Sequence, residues 1–156
     1  IVLSTDIIVG FPNETQEEYQ ATLDLLEKAQ FDFIYSYAFS ARKGTKAENF
    51  TDNLTDEVRG ERLRYLQQFQ LSIQEKIRKN LVGNIFRVLV EETNLVKGEK
   101  RWKGRSNCNR IVHFAPVTLE ANYQWHWVEV EITSATALSL GGTLIADHGR
   151  ILSQYH

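Results

Sequence analysis

An α/β segment over residues 1–80, then an all-β barrel of antiparallel strands over 81–150 and a tail at 151–156, is the architecture the sequence predicts. Three observations carry it. The chain opens on an apolar run, an amphipathic helical pattern and an aromatic-rich run, in the order strand–helix–strand. A second, longer helical pattern follows. Beyond Leu81 the helical period gives way to short alternating runs with turn residues between them.

Ile1–Gly10 reads as a strand whose near-continuous apolar character (Ile1, Val2, Leu3, Ile7, Ile8, Val9) predicts a parallel strand covered on both faces. Gly10-Phe11-Pro12-Asn13 breaks it. Thr15 and Glu18 form a capping box, in which the hydroxyl accepts from the Glu18 amide and the carboxylate reaches back. The helix it starts runs to about Gln30 and buries Tyr19, Leu23 and Leu26, with Leu25 and Ala29 as further candidates. Phe31–Phe39 returns as a second strand, giving a βαβ unit with a right-handed crossover. Ser40–Leu54 is a polar loop. Thr55 caps the next helix, with Asp56 and Glu57 in the first turn, where the helix dipole favours negative charge. Leu66, Phe69, Ile73 and Ile77 give it one apolar stripe as far as about Asn80, and Gly60 weakens its first turns by about 1 kcal/mol relative to alanine. The change of class falls near residues 80–83. Ile85–Val90, Asn109–Phe114 and Trp127–Thr133 are the next strands, the last with Val128, Val130 and Ile132 opposite Glu129 and Glu131. Ala137–Leu140 and Gly142–Ala146 are further strand pieces around a glycine pair.

No apolar run approaches the roughly 20 residues needed to cross a bilayer. Cys108 is the only cysteine, so cysteines assemble neither an internal disulfide nor a zinc or iron–sulfur site, and a reducing, cytoplasmic setting fits. The sequence contains no methionine and opens inside Ile1-Val2-Leu3 with no polar lead-in, which predicts the C-terminal portion of a longer protein.

Charge is concentrated in one place. Between Lys97 and Arg110, Lys97, Lys100, Arg101, Lys103, Arg105 and Arg110 stand against Glu99 alone, a local +5 in a chain of net charge −2. Such a loop attracts phosphate and releases counterions on binding. Trp102 offers a stacking face for an unpaired base, Asn107 and Asn109 carry donors and acceptors for base edges or 2′-hydroxyls, and Gly98 and Gly104 let the backbone approach closely. The competing reading is a solvated charged loop. In the first segment, Asp6 lies near the C-terminal end of its strand, where parallel α/β sheets bind ligands, and its carboxylate suits a sugar diol or a neighbouring loop equally. Arg42, at the equivalent end of the second strand, neutralises an anionic ligand or pairs with Glu48. Tyr35, Tyr37 and Phe39 read as core. His113, His126 and His148 have no metal-like spacing and carry no assigned role.

In sequence order these segments resemble a known family. Thr5-Asp6-Ile7-Ile8-Val9-Gly10-Phe11-Pro12-Asn13-Glu14-Thr15 is similar to the TDIIVGFPGET stretch of the radical S-adenosylmethionine methylthiotransferases, and Phe39-Ser40-Ala41-Arg42-Lys43-Gly44-Thr45 to their YSxRxGT loop. Val82-Gly83 through Glu91-Glu92, with Gly104–Phe114, resembles the VG…VLVE…GRTxxNRxVxF signature of the TRAM domain that follows. The resemblance covers nearly the whole chain. Its Asn-Arg pair (Asn109, Arg110) and Phe31-Asp32-Phe33 look most like the branch that adds a methylthio group to C2 of isopentenyladenosine beside the anticodon. The branches acting on a ribosomal protein or on threonylcarbamoyladenosine are alternatives, and so, from another class, is a stand-alone RNA-binding or adaptor module.

The resemblance implies the end of a (βα) radical S-adenosylmethionine partial barrel followed by an OB-like TRAM barrel. It implies S-adenosylmethionine as cofactor, with Asp6 near its ribose and the Val9-Gly10-Phe11 backbone near its adenine. It places Arg42 at the barrel mouth. Lys100, Arg101, Trp102, Lys103, Arg105, Asn109 and Arg110 would hold the anticodon arm of tRNA. Two 4Fe-4S clusters are implied for the full-length enzyme, neither ligated here, because the CxxxCxxC loop is not in this sequence; the fragment alone is then inactive and its partner is the N-terminal part of the same protein. Three positions depart from the family wording: Asn13 stands for Gly, Lys43 for the frequent Pro, and Ser106 for Thr. Asn13 is tolerable because Asn also accepts left-handed backbone angles.

Overall fold

Strands β1 (Ser4–Val9) and β2 (Phe33–Ala38) pair in parallel, from Ser4 opposite Phe33 to Val9 opposite Ala38. The computed structural model describes residues 2–96, 98–118 and 120–150. Helix α1 (Gln16–Ala29) connects the two strands and carries the expected capping box: Glu18 N donates to Thr15 Oγ1 (3.2 Å) and Thr15 N to Glu18 Oε2 (2.8 Å). Tyr19, Leu23 and Leu26 are buried, whereas Leu25 is 58% exposed and takes no part in the core. Asn13 adopts φ 65°, the left-handed geometry its side chain tolerates.

The sheet departs from expectation in one respect. It is not covered on both faces: Asp6 and Ile8 of β1 share a side with Tyr35 and Tyr37 of β2, and Ile8, Tyr35 and Tyr37 are each more than half exposed. The tyrosines read as core are therefore open. This sheet has two strands, and α2 (Asp56–Lys79) reaches only its other face, where Gln67 Nε2 donates to Ser36 Oγ (3.4 Å). The loop before α2 contains a single 3-10 turn, Lys46–Asn49. Along α2, Leu66 and Ile73 are buried and Phe69 and Ile77 half-buried. Two compact units divide between Gln74 and Glu75, so the last turns of α2 group with the β strands; the sequence puts the change of class near residue 81.

The second unit is a closed barrel of β3 (Ile85–Val96), β4 (Glu99–Ser106), β5 (Ile111–Phe114), β6 (His126–Ala135) and β7 (Leu140–Arg150), in the order β3-β4-β5-β7-β6. Two expectations are corrected. The basic segment is not a loop: most of it is β4, paired with β3 and β5. Nor is the barrel wholly antiparallel, because β5 and β7 run parallel. A ring with an odd number of strands cannot alternate direction all the way round, so one neighbouring pair has to be parallel. Of the two strand pieces predicted around Gly141-Gly142, Gly142–Ala146 lies in β7, whereas Ala137–Ser139 is the turn between β6 and β7 and only Leu140 of the first piece is in the strand. Val128, Val130 and Ile132 are buried as their alternation predicts, against Val88, Val90, Val112 and Phe114.

At Gly104, β4 lies close against β3. A Cβ there would fall on the Leu89 carbonyl oxygen and lie 2.7 Å from Val88 Cγ1. Gly104→Ala is expected to destabilise the barrel by about 1–3 kcal/mol, the usual range for overpacking, and to lower the thermal midpoint by several degrees. An unchanged midpoint would contradict the close approach.

Candidate functional site

Alternation along β4 sorts the basic segment into two faces. Trp102, Gly104 and Ser106 point into the barrel, while Arg101, Lys103 and Arg105 point out. Trp102 is 5% exposed and packs edge-on against Tyr123 at 5.7 Å between ring centroids, so it is a core residue and not a stacking face for a base. Lys100, at the start of the strand, is exposed, with Nζ 5.8 Å from the Trp102 ring centroid. Lys97 lies outside the described residues.

Two of the outward cations meet carboxylates of β3, and the third meets Glu99 of its own strand. A β-bulge in β3 sets Val90 opposite Gly104 and Glu92 opposite Lys103, so the extra residue, Glu91, shares the outer face with Glu92. Lys103 Nζ lies 2.7 Å from Glu92 Oε1, Arg105 Nε lies 3.2 Å from Glu91 Oε1, and Arg101 Nη2 lies 3.0 Å from Glu99 Oε2. The Lys103 hydrogen bond and charge hold the Glu92 carboxyl below its ordinary value. A depressed folded-state pKa contributes stability above the ordinary carboxylate range, and that stability is lost as pH falls through the lowered value.

Asn109 and Arg110 follow in the turn to β5. Asn109 takes φ 60°, its N–H donates to Ser106 O (2.8 Å), and its Oδ1 accepts from Arg105 Nη1 (3.0 Å). Arg110 N donates to the buried Ser106 hydroxyl (3.2 Å). The Ser-x-x-Asn-Arg wording is thus first a turn that fixes β4 against β5. Beside Lys103 across the ladder stands His113, whose imidazole is held below its ordinary value by burial first and then by Lys103 and Arg101.

In the α/β unit, Asp6 is exposed on the open face of the sheet. Val9 is fully buried and its carbonyl accepts from Phe39 N (2.8 Å). Gly10, at φ +69°, has both peptide groups engaged: its N–H donates to Glu14 Oε2 (2.8 Å) and its carbonyl accepts from Arg59 Nε (2.9 Å). Phe11 is 42% exposed and meets Phe39 edge-on at 5.1 Å between centroids. A groove of about 470 Å³ at the C-terminal ends of the two strands is lined by Ile8, Tyr37, Phe39 and Arg42, among others. Arg42 faces this groove and not Glu48, whose carboxylate accepts from Gly44 N (2.7 Å).

Sequence reasoning missed the side chains that hold this loop. Arg59 is 6% exposed and reaches Gly10 O, Leu54 O (2.9 Å), Asp52 and Asp56 (3.3 Å). Arg62 Nη1 binds Glu14 Oε2 at 2.5 Å and Glu14 O at 2.9 Å. Burial pushes the Tyr19 phenol up to about 12, so it stays protonated and donates to Arg62 O (2.7 Å). A signal was present: stepping the α2 stripe back from Leu66 by four and then three residues lands on Arg62 and Arg59.

Fold and site together define a βα unit with an open strand-end groove, and a five-stranded barrel with a row of cations on its outer face. No family model matches the chain. Its sequence is similar to tRNA-2-methylthio-N(6)-dimethylallyladenosine synthases over most of its length: 37% identical to that of Acetivibrio thermocellus across 93% of this chain, 38% to that of Solibacter usitatus across 90%, and 42% to that of Corynebacterium urealyticum across 85%. The chain spans 29%, 31% and 25% of those relatives' own lengths. The chain is similar to one part of these synthases.

The clamp around Gly10 is testable in the chain itself. Glu14→Ala leaves Arg62, whose side chain is 10% exposed, with a buried charge and no carboxylate. A loss of roughly 3–5 kcal/mol in urea denaturation is expected, as for other broken buried pairs. A loss within the range of a surface substitution would show that the pair does not hold the loop.

Proposed function

We propose that this chain is the part of a tRNA methylthiotransferase that joins the end of its S-adenosylmethionine-binding α/β barrel to the domain gripping the tRNA. The whole enzyme would add a methylthio group to C2 of isopentenyladenosine beside the anticodon, the reaction class that the relatives' names describe. Residues 2–74 would be the end of the radical S-adenosylmethionine domain. The following barrel would be an OB-like TRAM domain, a reading supported by five closed strands with a single parallel pair.

The carrying observation is the outward row Arg101, Lys103 and Arg105 with exposed Lys100 beside it, on a scaffold whose core is filled by Trp102. Phosphates would compete with Glu91, Glu92 and Glu99 for these cations, so the grip is salt-sensitive and moderate in strength. In the α/β unit, the exposed Asp6 carboxylate suits the ribose hydroxyls of S-adenosylmethionine, and the groove beside Ile8, Tyr37 and Arg42 has room for a ligand of that size. When bound, that cofactor supplies the methyl and radical chemistry. Because Gly10 is already bonded on both sides, its part is to shape the loop that presents Phe11. The two 4Fe-4S clusters would be held by other parts of the full-length enzyme.

Filter binding of a tRNA anticodon arm to the 156-residue chain across a salt series tests the RNA half. Lys100→Ala with Arg101→Ala is expected to weaken binding and to reduce the slope of log K against log salt by about 1–1.5. Unchanged affinity and slope would sink the RNA grip.

A further inference from the structure

A groove of about 420 Å³ opens on the barrel between the outer face of β4–β5 and the β6–β7 turn, lined by Arg101, His113, Ser134, Thr136, Leu140 and Gly141, among others. Its three kinds of wall differ in chemistry. Arg101 brings a guanidinium that can make five N–H donations and meets Glu99 with one of its nitrogens. His113 lies opposite Lys103 on one side and Gly141 on the other, and its Nδ1 is buried with no hydrogen-bond partner among the described residues. Ala135 supplies a small apolar patch, while the Leu140 side chain belongs to the barrel core.

The rim is preorganised. Thr136 Oγ1 accepts from Ser139 N (3.0 Å) and Leu138 N (3.2 Å), and Thr136 N donates to Ser139 O (2.9 Å), which holds the β6–β7 turn in one shape. Gly141 keeps the floor open: a Cβ there would fall on the Ser134 hydroxyl. The groups facing His113 are Lys103 and Arg101 from β4, with Glu99 at the edge of the groove; β7 presents only glycine backbone. Two neighbouring cations and burial keep the imidazole neutral near pH 7, so one ring nitrogen donates and the other accepts.

We infer that this groove is a subsite for a single unpaired nucleotide of the bound RNA, with the phosphate at Arg101, the sugar or base edge hydrogen-bonded by the His113 imidazole, and the base against Ala135. The inference rests on the RNA-binding reading above and adds to it a defined pocket and a neutral residue. The groove's volume sits near the lower end of ligand sites, which suits one nucleotide unit and excludes a duplex. Single-stranded loops, whose bases can be splayed out, are the form of RNA such a pocket reads.

The test is fluorescence anisotropy of the 156-residue chain with a labelled single-stranded oligouridylate, across a salt series, together with the ring resonances of His113 by NMR. Since His113 is neutral, His113→Phe is expected to weaken binding about tenfold, the loss of one hydrogen bond, with the salt slope unchanged. His113→Gln, which keeps a hydrogen-bonding group, should retain most of the affinity, and the wild-type His113 resonances should move on saturation. If His113→Phe binds like wild type, or the wild-type His113 resonances stay fixed on saturation, while Lys100→Ala with Arg101→Ala still weakens binding, the subsite is wrong and the RNA grip stands. If the wild-type chain binds no RNA, both fall.

Discussion

Closure of the five-stranded barrel imposes a parity on β4 that the rest of the candidate surface obeys. In a closed sheet each side chain points either into the core or out of it, and shifting the register by one residue would exchange the two sets. Trp102 and Ser106 are assigned to the interior by that rule, and Gly104 stands where β3 leaves no room for a side chain. Arg101, Lys103 and Arg105 are consequently presented together on the outside. The bulge at Glu91 adds a local exception, because it sets two successive carboxylates on the same outer face and so tempers the cations with built-in competitors.

The α/β unit uses a different device. Its β1–β2 sheet leaves one face open, with Ile8, Tyr35 and Tyr37 exposed around Asp6. The loop after β1 is held from beneath by charged groups of α2: Arg59 takes the Gly10 carbonyl, and Arg62 braces the Glu14 carboxylate that takes the Gly10 N–H. Buried ion pairs of this kind contribute little net stability but penalise any rearrangement that separates them. They suit a loop that must hold one shape next to a ligand.

Much of this was legible in the sequence. The capping box at Thr15, the parallel βαβ order and the inward set Val128, Val130 and Ile132 follow from local hydrogen bonding and period, and the structure reproduces them. What was illegible depends on neighbours distant in the chain. The charge count over the basic segment did not include Glu91 and Glu92, because a bulge that turns both outward leaves no mark in composition. Trp102 read as exposed because its segment read as a loop, and only strand pairing shows which face it takes. His113 looked like an ordinary strand residue, and its unpartnered Nδ1 and the groove beside it arise from β7 and the β6–β7 turn. Arg59 and Arg62 were hidden by the habit of ending an apolar stripe at its first charged residue.

The central claim is that the outer face of β4–β5, with the β6–β7 turn, is where this chain holds RNA. The most direct measurement is a backbone amide NMR titration of the chain with a single-stranded RNA of the anticodon-loop sequence. The account predicts shifts concentrated at Lys100–Arg105, Ile111–His113 and Thr136–Gly141, with the amides of α1 unmoved. Shifts absent from β4 and β5, or centred on the β1–β2 unit instead, would contradict it.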